Sequence, residues 1–149
     1  MYLLSDMPDR PIKGDLNGRG DGVVGVHSGG SVIRIYKGAL MAMQEVWDGK
    51  YPGMRLAVAS SADTPLAESI GRAAMDLLEV VPGVTMKEVL TRGFEDGSNL
   101  QIGRQAPLSS DKSRTHFPIL REATGVPYDE MLFFDDSVWS DHCRLVEQK

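Results

Sequence analysis

Met131-Leu132-Phe133-Phe134-Asp135-Asp136 is the stretch on which the fold turns. Four apolar residues in a row, two of them aromatic, match a short strand covered on both faces, as in a parallel sheet flanked by helices. The run ends in two adjacent carboxylates, which is where an α/β protein holds a divalent cation. Neighbouring carboxylates repel each other and are costly to desolvate, so a compensating cation is expected, and a hard, oxygen-seeking ion such as Mg²⁺ has the right chemistry. The plainer alternative is a strand that runs into an acidic turn, with Asp136 capping the helix that follows.

Working outward, the pattern is strand then helix. Leu56-Ala57-Val58-Ala59 is a short apolar run that meets Ser60-Ser61. Leu66, Ile70, Ala73, Ala74, Leu77 and Leu78 then mark one face of a helix that Pro82-Gly83 is expected to end. Met86 to Leu90 reads as a strand or a helical turn, residues 92–110 as a polar loop, and residues 115–124 as a helix before Gly125-Val126-Pro127. Nearer the amino end, Leu40, Met43, Val46 and Trp47 recur at helical spacing with Gly49 as the stop. Val23-Val24-Gly25-Val26 and Val32-Ile33-Arg34-Ile35-Tyr36 flank a glycine turn and predict a hairpin. The expected organisation is one domain over residues 1–149: an irregular loop over 1–22, a hairpin over 23–36, and an α/β core over 37–149 with a mostly parallel sheet.

Composition narrows the class. With 149 residues and ordinary apolar and charged fractions the chain has room for one core. A formal charge of −5 and the lack of any Lys/Arg run argue against nucleic acid and anionic lipid as partners. Met1-Tyr2-Leu3-Leu4 gives way at once to Ser5, Asp6, Pro8 and Asp9, too short and polar for a signal peptide or membrane span. The single cysteine, Cys143, has no internal disulfide partner, which fits a reducing, cytoplasmic setting. Two early motifs fail on chemistry. Asp15-Leu16-Asn17-Gly18-Arg19-Gly20-Asp21-Gly22 begins like a calcium loop, but Arg19 stands where an oxygen ligand belongs and Val26 where the bidentate Glu should be. Arg19-Gly20-Asp21 spells an adhesion tripeptide without a secreted context.

The order of the remaining polar signals is more telling. Ser60 closes one apolar run, Lys112 precedes a helix, and Asp135-Asp136 closes another run. With Thr115-His116-Phe117, Thr124-Gly125-Val126-Pro127 and Phe133-Phe134-Asp135-Asp136 at these intervals, residues 23–143 resemble the magnesium-dependent phosphatase branch of the haloacid-dehalogenase superfamily, an acid-phosphatase-like group. Trp47 and Ile35-Tyr36 add weaker support.

The resemblance implies a three-layer Rossmann-like sandwich and hydrolysis of phosphomonoesters through an aspartyl-phosphate. It implies that Asp135 and Asp136 hold Mg²⁺, that Ser60 donates its hydroxyl to a phosphoryl oxygen beside the backbone N–H groups around Ser61, and that Lys112 serves as a point charge on the phosphoryl oxygens and the nucleophile. Implied substrates are phosphotyrosine, other phosphoproteins or small sugar phosphates. The plainer roles are helix capping for Ser60 and Ser61 and a solvated loop charge for Lys112.

Departures from the pattern matter. Lys112 stands one position earlier than the resemblance implies, with Ser113 in the expected place, and the Arg-Asn that often follows the acidic pair is absent. The first motif, Asp-x-Asp-x-Thr at the end of a central strand, would supply the nucleophile, yet no Asp-x-Asp occurs in residues 1–149. The resemblance therefore implies a first strand and a carboxyl-terminal end that these residues do not supply. Strands beside that gap would keep unpaired edges, so marginal stability or self-association is expected. The alternatives are a non-catalytic phosphate- or metal-binding relative and a signalling receiver domain. A receiver places its acidic pair first and its Lys last, the reverse of the order here.

Overall fold

The computed structural model describes residues 6–62, 64–105, 111–136 and 142–148. Its amino-terminal part is an antiparallel sheet of β1 (Asp9–Asp15), β2 (Asp21–Ser28) and β3 (Ser31–Ile33), in that order. The expected hairpin is therefore present as β2 and β3, joined through Gly29-Gly30, while the stretch expected to be loop carries a further strand. β1 has no strand signature of its own because Asp-Arg-Pro-Ile-Lys-Gly-Asp is polar and largely exposed, so its pairing with β2 makes it a strand. The calcium-like stretch is the turn of this second hairpin: Leu16 N donates to Gly20 O at 2.9 Å and Gly18 N to Asp15 Oδ2 at 2.6 Å, with Asn17 and Gly18 at positive φ.

Helix α1 (Lys37–Trp47) buries Leu40 and Met43 one turn apart and ends at Asp48, followed by Gly49 at φ 78°. β4 (Val58–Ser60) leads to α2 (Pro65–Leu77), whose cap is Thr64: its hydroxyl accepts from Ala67 N at 3.0 Å, and Pro65 occupies the first turn. The helix stops at Leu78 rather than at Pro82-Gly83, which instead turns a short hairpin of β5 (Glu79–Val81) and β6 (Val84–Thr85). Met86 to Leu90 falls in α3 (Met86–Thr91), with Thr85 as its cap. Within the segment expected to be loop lies β7 (Leu100–Ile102), parallel to β4 with Ser60 opposite Ile102. Then come α4 (His116–Thr124), closed by Gly125 at φ 72°, a single 3₁₀ turn at Tyr128–Glu130, and α5 (His142–Glu147).

The largest correction concerns Met131–Phe134. The segment forms no strand; side chains alternate in exposure, Leu132 is 80 % and Phe134 86 % exposed, and no described strand lies alongside. An apolar run becomes a strand only when a neighbouring strand takes its N–H and C=O groups; among the described residues none does, and Met131 N donates instead to Tyr128 O at 3.1 Å, within the 3₁₀ turn. The expectation of a mostly parallel sheet is met only in part: among the described residues β4 and β7 are the parallel pair in three small sheets. The fold is a mixed α/β arrangement.

The main core cluster joins Leu16, Leu40, Met43, Met75, Val80, Val89, Leu90, Leu100 and Ile102, and a second unites Val23, Val26, Ala74 and Leu78. Two buried amides fasten the layers. Gln44 Nε2 donates to Leu16 O (3.0 Å) and Val80 O (2.9 Å), tying α1 to the β1–β2 turn and to β5. Asn99 Nδ2 donates to Leu56 O (2.8 Å) and Leu90 O (2.6 Å), fixing the entries to β4 and β7 against α3. These locks hold the parallel pair so that its carboxyl ends meet the start of α4.

Candidate functional site

Ser60 is the last residue of β4, half-buried, and the ladder continues past it through Gly103 N, which donates to Ser60 O at 2.9 Å. Ser61 follows with its Oγ buried and without a hydrogen-bond partner among the described residues. A buried hydroxyl left unpaired costs stability, so this atom is a place where an acceptor or donor from a ligand would be welcome. Neither serine caps α2; Thr64 does. Their plainer role is thus taken by another residue.

The segment before α4 is wound tightly around Asp111 and Lys112. Asp111 Oδ1 accepts from Ser113 N (2.9 Å) and Ser113 Oγ (2.6 Å), and Lys112 O accepts from His116 N (3.1 Å) and Phe117 N (3.0 Å). This winding turns the Lys112 side chain inward, where Lys112 is 8 % exposed. Its Nζ donates to Asp135 Oδ2 at 2.5 Å and lies 5.3 Å from the centre of the Phe133 ring, which itself meets Phe117 edge-on at 5.1 Å. Lys112 is therefore not a solvated loop charge, and its inward turn is what the one-residue offset in sequence left open.

The two acids point apart. Because successive side chains of an extended segment face opposite ways, Asp135 turns toward Lys112 and Asp136 toward solvent, where its Oδ2 accepts from Tyr36 Oη at 3.1 Å. The Lys112 ammonium thus stands beside Asp135 as a compensating cation. No three His, Cys, Asp or Glu side chains among the described residues gather as a metal site. The carboxylate oxygens of Asp135 and Asp136 are nonetheless the hard donors that Mg²⁺ takes, and this ion commonly uses one or two carboxylates and completes its shell with water and phosphate oxygens. The donor chemistry fits, and a rotation of the Asp136 side chain away from Tyr36 is what would bring both carboxylates to one ion.

His116 joins the two halves of the site. Its Nε2 lies 3.0 Å from Ser60 O and 3.0 Å from Gly103 O, so the start of α4 sits against the ends of both β4 and β7. One short segment, residues 111–117, thus links Ser60 to Asp135: His116 reaches the strand ends and Lys112 reaches the acid. Ligands of α/β proteins bind at such carboxyl ends of parallel strands. Sequence reasoning gave no role to His116 or Tyr36; a lone His at a helix start carries no sign of which carbonyls it will meet.

A model of a protein family described as Acid Phosphatase matches residues 4–146. The chain belongs to the acid phosphatase family. Comparisons with curated proteins and with solved structures found no match. Membership bears out the resemblance to acid-phosphatase-like members of the haloacid-dehalogenase superfamily and points to hydrolysis of phosphate esters as the activity of the family. No helix among the described residues is long and apolar enough to cross a membrane.

Proposed function

We propose that this acid phosphatase family member acts on phosphomonoesters with Mg²⁺, at the carboxyl ends of β4 and β7. The observation that carries the proposal is the gathering of Ser60, the Ser61 hydroxyl that has no partner among the described residues, buried Lys112 and Asp135 around the start of α4. In this reading the Ser60 and Ser61 hydroxyls and the Ser61 N–H donate to phosphoryl oxygens, and Lys112 adds a point charge in a water-poor setting where it counts for more than in solvent. Asp135 and Asp136 would hold Mg²⁺, which when bound neutralises charge on the phosphoryl group. Phosphotyrosine, phosphoprotein and sugar-phosphate esters are the proposed substrates, with the β2–β3 hairpin near the site. We further propose that the parallel pair belongs to a three-layer sandwich, with the open edge of the Met131–Phe134 segment as the place for a further strand.

A second reading is favoured by one specific fact: no Asp-x-Asp stands in residues 1–149, so they do not supply the expected attacking carboxylate. These residues would then form a binding module that takes Mg²⁺ and an oxyanion without turnover. Purified protein incubated with an aryl phosphate, with and without Mg²⁺, separates the two. Mg²⁺-dependent phosphate release that disappears in Asp135→Ala, at a temperature where circular dichroism shows that variant folded, supports the phosphatase, binding of orthophosphate without release supports the module, and neither binding nor release refutes both.

A further inference from the structure

His116 is 1 % exposed, and every polar atom of its ring has a neighbour. A carbonyl oxygen accepts only, so Nε2, facing Ser60 O and Gly103 O at 3.0 Å each, must carry its proton and share it between them. Nδ1 faces Thr115 Oγ1 at 2.8 Å, and that hydroxyl also faces Asp111 O at 3.1 Å, so its one proton lies between these two acceptors. The imidazole is thus a two-carbonyl clamp on the ends of the parallel strands.

The consequence runs through a peptide plane. The Ser60 carbonyl and the Ser61 N–H belong to one planar, trans peptide unit, so fixing the direction of the carbonyl fixes the N–H in the opposite direction. Ser60 O is held from two sides, by His116 Nε2 and by Gly103 N at 2.9 Å. The Ser61 N–H therefore faces away from the clamp, on the same residue as the buried, unpartnered Oγ. The His116 backbone is tied to Lys112 as well, since His116 N donates to Lys112 O at 3.1 Å.

We infer that His116 is a positioning residue of the oxyanion site: its Nε2–H locks the Ser60–Ser61 peptide so that the Ser61 N–H and hydroxyl stand ready for a phosphoryl group. The inference rests on the phosphate-binding role proposed for Ser60 and Ser61. It predicts a strict order of replacements. In His116→Gln the side-chain amide can reach the Nε2 position and bring one N–H to each carbonyl, whereas His116→Phe fills the ring volume without any donor.

Two measurements on the full chain decide it. Imidazole ¹⁵N resonances report the tautomer: a proton on Nε2 is expected, and one on Nδ1 alone overturns the clamp whatever the protein binds. Orthophosphate titration in the presence of Mg²⁺, followed at the Ser61 amide, reports the positioning. His116→Gln should bind within threefold of the unaltered protein and His116→Phe at least tenfold more weakly, both at a temperature where circular dichroism shows them folded. Equal affinity in a folded His116→Phe, or equal loss in both variants, overturns the inference. If His116→Phe does not fold, His116→Asn, whose amide is too short to reach both carbonyls, takes its place under the same criteria. An unaltered protein with an Nε2–H tautomer that binds no orthophosphate refutes the phosphate reading of Ser60 and Ser61, and with it the positioning role, while the clamp geometry stands.

Discussion

Replacing Lys112 by Met should destabilise the protein by more than any surface charge change, and the structure says why. The Lys112 and Asp135 side chains are 10 % and 9 % exposed and meet at 2.5 Å, beside the Phe133 ring. Exposed pairs contribute about 0–1 kcal/mol because water screens them, but removing one member of a buried pair takes away the countercharge of the other and costs roughly 3–5 kcal/mol. At about 2–4 °C per kcal/mol for a chain of this size, Lys112→Met should lower Tm by roughly 10 °C. Lys112→Met combined with Asp135→Asn should recover much of the loss, since the side chain that faced the ammonium is then neutral. Urea unfolding of the parent, both single variants and the double variant gives a coupling energy directly, expected at about 2 kcal/mol or more. Single variants that each cost under about 0.5 kcal/mol, with additive effects, would place the pair in solvent and remove the basis for a buried cation at the site.

Other expectations follow from the same geometry. Tyr36→Phe removes the hydroxyl that donates to Asp136 at 3.1 Å; with Tyr36 73 % exposed, Tm should not move, while Mg²⁺ affinity by calorimetry should fall between about twofold and tenfold, the worth of one such bond. An unchanged affinity would separate Tyr36 from the proposed metal site. Gln44→Leu strips donors from Leu16 O and Val80 O, both bonded at 3.0 Å or less, and should cost roughly 2–4 kcal/mol in chemical denaturation despite the added apolar surface. A neutral or stabilising outcome would show that the amide is dispensable to the core. Leu132 and Phe134, 80 % and 86 % exposed on a backbone with no strand beside it among the described residues, should drive concentration-dependent self-association that Phe134→Lys weakens; sedimentation velocity showing a monomer at every concentration would count against it.

The sequence by itself determined what depends on neighbours along the chain. Helices α1, α2 and α4 were legible because Leu40–Met43, Ile70–Ala74 and Phe117–Leu120 lie one turn apart, and Gly125 could stop α4 because only a residue tolerant of positive φ fits there. The hairpin around Gly29-Gly30 was legible for the same local reason, and the spacing of Ser60, Thr115-His116-Phe117 and Asp135-Asp136 carried the family. Tertiary structure decided everything that needs a partner from elsewhere. Asp9–Asp15 is a strand because β2 pairs with it, Leu100–Ile102 because β4 does, and Met131–Phe134 is none because no described strand lies beside it, although it has the most strand-like composition of the three. Likewise no spacing rule could say that Lys112 meets Asp135 while Ser113, also buried, bonds Asp111, or that His116 spans the ends of two strands. Periodicity is a property of the backbone's own repeat, whereas a sheet edge, an ion pair and a shared proton exist only once distant segments have been brought within a few ångströms.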